Sequence, residues 1–333
     1  MELLTQVKDL SRIGYGFMAS KALFSALDLE IFSHLAGGPL SADEIQQRTQ
    51  AAPNGLHTLL RVCTSLGLIG LEGGRYFNSP VAAAYLDVAA PLAFGDYFRY
   101  QIDRQIYPSL QELGDALHGR PTTPMYARMA SPTEAELFSE SQHVGSLGPA
   151  HLLASRVDAS GWLRLLDVAG GSGAFSIALC KRNPRLHSTL IDFPNVVPIA
   201  RRYALANGLE QRISTLAGDA LATSWPEGQD AVLMSYLLSA MPADRFGPLL
   251  GKAFRSLRPG GTILIHDFML DETRHEPTNA ALWFLANVVS GPELVSFSST
   301  DVATLLGDSR FEAVRCADLL PGMTCLVSAR RPP

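Results

Sequence analysis

The 333-residue chain is expected to be an α/β protein, an open and mainly parallel sheet behind a helical N-terminal unit. Three observations predict this. Apolar runs near residues 163–168, 187–192, 212–217, 230–236 and 261–267 alternate with helical stretches, the pattern of repeated βα units. The first run passes through Leu165-Leu166-Asp167-Val168-Ala169 into Gly170-Gly171-Ser172-Gly173, an acid followed by a glycine-rich turn. A helical pattern follows from Ala174 to Arg182, and Pro184 closes it. The first hundred residues instead carry helical periodicity and one short hairpin. Domains are therefore drawn at 1–100, 101–160 and 161–333.

In the first of these, Ile13 to Leu35 places Phe17, Leu23, Ala26, Leu27, Ile31, Phe32 and Leu35 at helical spacing. Ser41 and Glu44 have the spacing of a capping box, each side chain satisfying a free N–H of a new helix. A second helix is expected over 54–66, entered after Pro53. Leu68 to Phe77 then reads as a hairpin around Gly73-Gly74. Helix, turn, helix, hairpin is a winged-helix order, and it raises the alternative of a ligand-sensing DNA regulator. Charge argues against that. Residues 1–90 hold six Lys/Arg (Lys8, Arg12, Lys21, Arg48, Arg61, Arg75) against eight Asp/Glu, whereas a DNA-reading surface carries a basic excess. A dimerisation unit is the plainer assignment. Residues 101–160 are expected to form a mostly helical linker, with a loop at Gly119 to Pro124. At the far end, Phe311 to Asp318 and Met323 to Ala329 flank Pro321-Gly322 as a closing antiparallel pair.

Glycines let the backbone pass close to a ligand, and the helix behind them offers unpaired N–H groups. Asp192, ending the next apolar run, is placed to accept hydrogen bonds from ribose hydroxyls. The first acid chooses the nucleoside. Asp167 would be awkward beside a pyrophosphate, and the third glycine of a dinucleotide loop is here Ser176. S-adenosylmethionine has no phosphate but carries an ammonium and a sulfonium, so an acid ahead of glycines favours it over NAD. Downstream, Asp219 of Gly218-Asp219 can accept from an adenine amino group. Ala220 and Leu221 can pack on the ring, and Phe193 offers it a face.

In this order the motifs resemble the S-adenosylmethionine-dependent small-molecule O-methyltransferases of plant caffeate and acetylserotonin type and their bacterial relatives. The likeness covers nearly the whole chain. It takes in the winged-helix unit, Asp167 to Gly173, Asp192-Phe193-Pro194-Asn195-Val196, Gly218-Asp219, Arg258-Pro259-Gly260-Gly261 and the terminal hairpin. It implies a Rossmann-like class I methyltransferase domain and a homodimer. It further implies that Gly170, Gly171 and Gly173 line the cofactor, with Asp192 on the ribose and Asp219 on the adenine. Tyr97, Tyr107, Trp283, Phe284 and Asn287 fall in segments that line the family's acceptor site. Apolar, aromatic walls suit a planar or polyketide-like small metabolite.

One segment departs from the family. Leu-His-Asp-Trp is its usual sequence after the fourth strand, and that histidine takes the acceptor's proton. Here Ser235-Tyr236-Leu237-Leu238-Ser239-Ala240-Met241-Pro242 stands instead. Ser239 falls on the histidine, Ala240 on the next acid and Ser235 on a cofactor-facing lysine. Serine is no base near neutral pH without activation. Substitutes are His266 and Asp267 at the end of the fifth strand, His143 on the helix over the substrate, and Glu293. Ser239 itself is expected to donate to the substrate. A phenol, with a pKa of about 10, gains roughly 10²–10⁴ in rate from a positioned base. An acidic hydroxyl, an activated carbon or a nitrogen needs mainly alignment. A looser likeness to the bacteriochlorophyllide ring-carbon methyltransferase, which also lacks the histidine, keeps carbon methylation open beside oxygen methylation. A homologue that binds S-adenosylmethionine without transferring its methyl is a third alternative. His266, Asp267 and His275 have the donor types of a metal site, but neighbours on a strand point to opposite faces, and no metal is expected.

Composition agrees with such an enzyme. With 47% hydrophobic and 18% charged residues the chain has enough apolar surface for two cores. No run reaches the roughly 18 apolar residues of a membrane span, and the start lacks a basic-then-apolar leader. Cys63, Cys180, Cys316 and Cys325 show neither metal spacing nor a disulfide framework, so a reducing, cytoplasmic setting is expected. A net charge of −5 gives no reason to expect a nucleic-acid partner.

Overall fold

The computed structural model describes residues 3–91, 93–123, 131–291 and 293–333. The chain divides into two compact units, Met1–Gln105 and Ile106–Pro333. In the first unit the stretch expected as one helix is broken into α1 (Val7–Gly14), α2 (Gly16–Asp28) and α3 (Ile31–His34). Glycines on both sides of Tyr15 weaken the first junction. At the second, Glu30 turns into the left-handed region with φ of 50°. α4 (Ala42–Thr49) starts at the expected capping box: Ser41 Oγ accepts from Glu44 N, and the Glu44 carboxylate accepts from Ser41 N. α5 (Pro53–Ser65) takes Pro53 into its first turn. β1 (Ile69–Glu72) and β2 (Arg75–Asn78) pair antiparallel about Gly73 and Gly74, whose φ angles are 55° and 75°. α6 (Pro80–Tyr85) follows. Phe32, Ile45, Leu56 and Leu60 centre this unit's core. α1 stays outside it, with no buried residue and with Val7, Leu10 and Ile13 at 78%, 62% and 70% exposure.

The chain continues through a helical run Tyr97–Ile106, the short α7 (Tyr107–Ser109) and α8 (Leu113–Leu117), and the 25-residue α9 (Pro132–Arg156). Part of the expected loop, from Pro124, lies outside the described residues. The parallel strands are β3 (Arg164–Val168), β4 (His187–Asp192), β5 (Ile213–Ala217), β6 (Gln229–Ser235) and β7 (Leu257–Phe268). Their crossovers are α10 (Ala174–Arg182), α11 (Val197–Ala206) and α12 (Phe246–Ser256). α13 (Thr278–Ser290) and α14 (Ser299–Asp308) lead to β8 (Glu312–Leu320) and β9 (Thr324–Arg330). The sheet order is β5-β4-β3-β6-β7-β9-β8, with β9 antiparallel to both of its neighbours. This is the expected α/β class. β7 starts ahead of the expected 261 because Leu257 already pairs with Gln229, before a register shift.

Side-chain alternation divides the core. Leu166, Val168, Val232, Met234, Ile263 and Ile265 face one cluster with Leu249, Phe284 and Leu306. Leu165, Ala231, Leu233 and Leu264 face the other, with Leu153 and Leu179. A sheet covered on both faces has apolar residues at consecutive positions, which is why these strands read as unbroken runs.

Asp230, at the start of β6, accepts from Leu163 N at 2.7 Å, Arg164 N at 2.9 Å and Arg258 Nε at 2.5 Å. It thereby ties β3, β6 and β7 together at their N-terminal ends. Asp230→Ala leaves two backbone donors unpaired and is expected to cost about 1–3 kcal/mol in urea unfolding. Ligand binding at the opposite sheet edge should not change. An unaltered unfolding midpoint would remove Asp230 from the account of the fold.

Candidate functional site

The strand order reverses between β3 and β6, and ligands of open α/β sheets sit over the C-terminal strand ends at such a reversal. Both strands run out into a left-handed residue, Ala169 with φ of 54° and Tyr236 with φ of 56°. Non-glycine residues seldom adopt this backbone. Both residues line a cavity of about 330 Å³. Gly171 and Gly173, with φ of 57° and 81°, need the left-handed freedom of glycine. Gly170 is glycine for another reason: a Cβ there would stand 2.7 Å from Leu190 and 2.8 Å from the Asp167 carboxyl carbon. Gly173 is the N-cap of α10 and itself lies off the cavity lining.

Two acids hold this turn. Asp167 is 1% exposed. Its Oδ2 accepts from Ser176 Oγ at 2.6 Å, and Ser176 Oγ lies 2.8 Å from Ser188 Oγ. The residue lines the cavity, and its Oδ1 is buried without a partner among the described residues. Burial pushes its pKa up to about 6. Such an orphan oxygen suits a donor or a cation brought by a ligand. Asp192 accepts from Gly171 N at 2.8 Å and from Phe193 N at 2.7 Å, and burial raises its pKa to about 6 as well. Asp219, exposed, accepts from Leu221 N at 2.7 Å. Phe193, Gly218, Ala220, Leu221 and Ser235 share the lining with these acids.

A second cluster forms around Ser239, which also lines the cavity. Asp267 is wholly buried and accepts from Ser239 N at 3.0 Å, from Phe268 N at 2.9 Å and from the Ser239 hydroxyl. Asn287 Nδ2 donates to Ser239 O at 2.8 Å. Burial raises the Asp267 pKa to about 6. Its neighbour His266 has Ser235 Oγ at 2.9 Å on Nδ1 and Thr324 Oγ1 at 2.9 Å on Nε2. Fully buried, His266 is driven down to about pKa 3. His143 bonds through Nδ1 to Ser172 Oγ at 2.7 Å and stacks on Tyr203 at 3.7 Å, and burial lowers its pKa to about 4. His266, Asp267 and His143 all stand behind the cavity wall, outside its lining.

The other expected residues divide similarly. Trp283 lines the cavity, while Phe284 lies in the core 5.2 Å from the Phe297 ring. Asn287 acts behind Ser239. Tyr97 belongs to the first unit, where it packs on Phe94 and Phe98. Tyr107 opens α7, and Glu293 is exposed and outside the lining. His275 is exposed against Thr273 O, and among the described residues no three metal-type ligands gather. Sequence reasoning missed Phe138, Ser139, Gln142 and Ser146 of α9, and Met241. The available signal was the polar stripe of Ser139, Gln142 and Ser146 at i, i+3 and i+7 along one helix face. It also took Ser176 only as an absent glycine, whereas its hydroxyl supports Asp167.

Two family models match, the O-methyltransferase domain over residues 110–312 and the O-methyltransferase dimerisation domain over residues 12–87. A 3-hydroxy-5-methyl-1-naphthoate 3-O-methyltransferase of Streptomyces sahachiroi is 32% identical, over 96% of this chain and 94% of the relative. The tetracenomycin polyketide synthesis 8-O-methyltransferase of Streptomyces glaucescens is 27% identical, over 97% and 96%. Among solved structures, human N-acetylserotonin methyltransferase in complex with SAM has a TM-score of 0.87 at 26% identity, over 100% of both chains.

The raised acids set the sign of a pH test. Asp167 and Asp192 hold protons up to about pH 6 when folded, against about 3.9 for an unfolded aspartate. Stability from their protonated forms is present below about pH 4 and lost as pH rises through about 6. A cationic ligand needs the ionised forms. S-adenosylmethionine affinity, measured by calorimetry, is therefore expected to rise about tenfold per participating acid from pH 5 to pH 7 and then level off. A flat profile would exclude both acids as titrating ligand partners.

Proposed function

The chain belongs to the O-methyltransferase family, and we propose that it methylates a hydroxyl of a small aromatic metabolite in the cavity over β3 and β6. It is an S-adenosylmethionine-dependent enzyme, as the family and the solved relative have it. The observation that carries the reading is the orphan Asp167 Oδ1 beside a glycine turn that has no room for a Cβ. That arrangement fits the cofactor. When bound, S-adenosylmethionine supplies an electrophilic methyl group. Asp167 serves its ammonium, Asp192 its ribose and Asp219 its adenine, with Phe193, Ala220 and Leu221 as ring walls. Gly170, Gly171 and Gly173 clear a path along the backbone.

Ser239 and Asp267 take the part of the histidine that the family has and this chain replaces. The acceptor hydroxyl bonds to Ser239 Oγ. As its proton leaves for that oxygen, the serine's own proton passes to Asp267. Asn287 holds the Ser239 backbone while this happens. His266 and His143 are structural in this reading, each held by a hydroxyl partner. The four cysteines are free thiols, which suits a reducing compartment such as the cytoplasm.

The first unit is the dimerisation domain, and the apolar face of α1 is its contact with a second copy. α9, whose residues line the cavity, covers the acceptor. Leu10→Asp with Ile13→Asp is expected to turn a dimer into monomers in sedimentation velocity. A wild-type protein that is monomeric at tens of micromolar would overturn the dimer.

Release of S-adenosylhomocysteine with a panel of hydroxyarenes tests the activity itself. Ser239→Ala and Asp267→Asn are each expected to lower kcat by about 10²-fold, within the range of a general base. kcat should also rise with pH through about 6 in the wild type. Losses under threefold for both variants would mean the acceptor needs no base, and would move the reading to carbon methylation.

A further inference from the structure

Trp283 contributes a second orphan to the cavity. It lines the space, yet its indole Nε1 is buried with no partner among the described residues. Its ring is held, stacked on Phe268 at 4.5 Å and 17°. A buried donor left unpaired costs about 1–3 kcal/mol. Indole N–H groups in protein interiors therefore usually find an acceptor. One helical turn further along α13, Asn287 grips the Ser239 carbonyl, so one rigid element sets both the indole and the serine.

Charge on the same walls restricts the occupant. The ionisable side chains of the lining, among the described residues, are Asp167, Asp192 and Asp219, with no Lys, Arg or His beside them. An anionic acceptor would enter a low-dielectric space of its own sign with no counter-ion. A neutral oxygen acceptor meets no such cost and satisfies the indole.

We propose that Trp283 is a specificity-determining residue whose N–H binds a carbonyl oxygen of an uncharged hydroxyarene, and that the free-acid forms of such compounds are rejected. This rests on the methyltransferase reading of the cavity. The substrate class is thus a neutral aromatic hydroxy-carbonyl compound such as an ester, ketone or quinone.

The test uses the full-length protein saturated with S-adenosylhomocysteine and a positional series of methyl hydroxynaphthoates, their free acids and the two naphthols. By calorimetry at pH 7.5 the best ester is expected to bind at least about 30-fold tighter than its free acid. It should bind about tenfold tighter than the naphthols, the worth of one buried hydrogen bond. Trp283→Phe keeps the stacked ring and removes the N–H. It should abolish the ester-over-naphthol preference, leave the ester-over-acid preference in place, and leave S-adenosylhomocysteine affinity and Tm unchanged or slightly raised. The proposal is overturned by an acid that binds as tightly as its ester, by a carbonyl preference that survives Trp283→Phe, or by an ester series that does not bind at all. Failure of the parent reading looks different: S-adenosylhomocysteine itself would not bind.

Discussion

A buried carboxylate with one oxygen satisfied and one left open is what the rest of this cavity is arranged around. Asp167 sits at the end of the central strand β3, where burial raises its pKa and penalises its charge. Ionised and unpaired in a dry interior it would cost several kcal/mol. Ser176 offsets part of that cost and fixes the carboxylate's direction, leaving Oδ1 for the ligand. The hydroxyl can reach because α10 begins at Gly173 and lays its first turn against β3. Gly170 in turn lacks a side chain because Leu190 and Asp167 occupy the space. Glycine turn, helix start and acid are thus consequences of one packing problem.

The same device recurs across the cavity. Asp267 ends β7 as Asp167 ends β3, and each engages a serine hydroxyl, of Ser239 and Ser176 respectively. The difference lies in which partner meets the ligand. At Asp167 the acid lines the cavity while its serine is buried; at Asp267 the serine lines the cavity and the acid stands behind it. One arrangement presents negative charge and the other a hydroxyl backed by charge. Left-handed residues at Ala169 and Tyr236 hold the two loops in place, at a strain of about 1–3 kcal/mol each. A sheet packed on both faces over-determines the backbone enough to keep it.

Much of this was legible in the sequence, and the limits have physical causes. The five parallel strands showed as apolar runs because both sheet faces are covered, and Asp167, Gly171 and Asp192 showed because their spacing follows from one βα unit. The capping box at Ser41 and Glu44 is a local interaction and came through intact. Side-chain direction did not. His266 and Asp267 are neighbours at the same strand end, yet one reaches Ser235 and Thr324 and the other Ser239. Which of them approaches the cavity depends on strands and helices distant in sequence. The break of the first long helix at Tyr15 was likewise hidden, because apolar periodicity continues across Gly14 and Gly16 although the backbone does not. The partners of Ser176 and Asn287 are set by tertiary packing, and no local pattern announces them.

Serine in place of histidine at position 239 changes more than basicity. A histidine would put an ionisable cation in a lining that otherwise carries only acids, and an imidazole would compete with the acceptor for space. Serine is small, permanently neutral and held by Asp267 and Asn287 on its backbone. The proton then has one place to go, a carboxylate whose pKa of about 6 lies closer to neutrality than an ordinary aspartate's. A carboxylate of that strength is a weak base for a simple phenol, with a pKa of about 10, and a better one for a hydroxyl already acidified by a conjugated carbonyl. The acidic lining, the orphan indole donor and the substitution at Ser239 therefore impose one chemical requirement. The acceptor must bring its own electron-withdrawing oxygen, and bring it without charge.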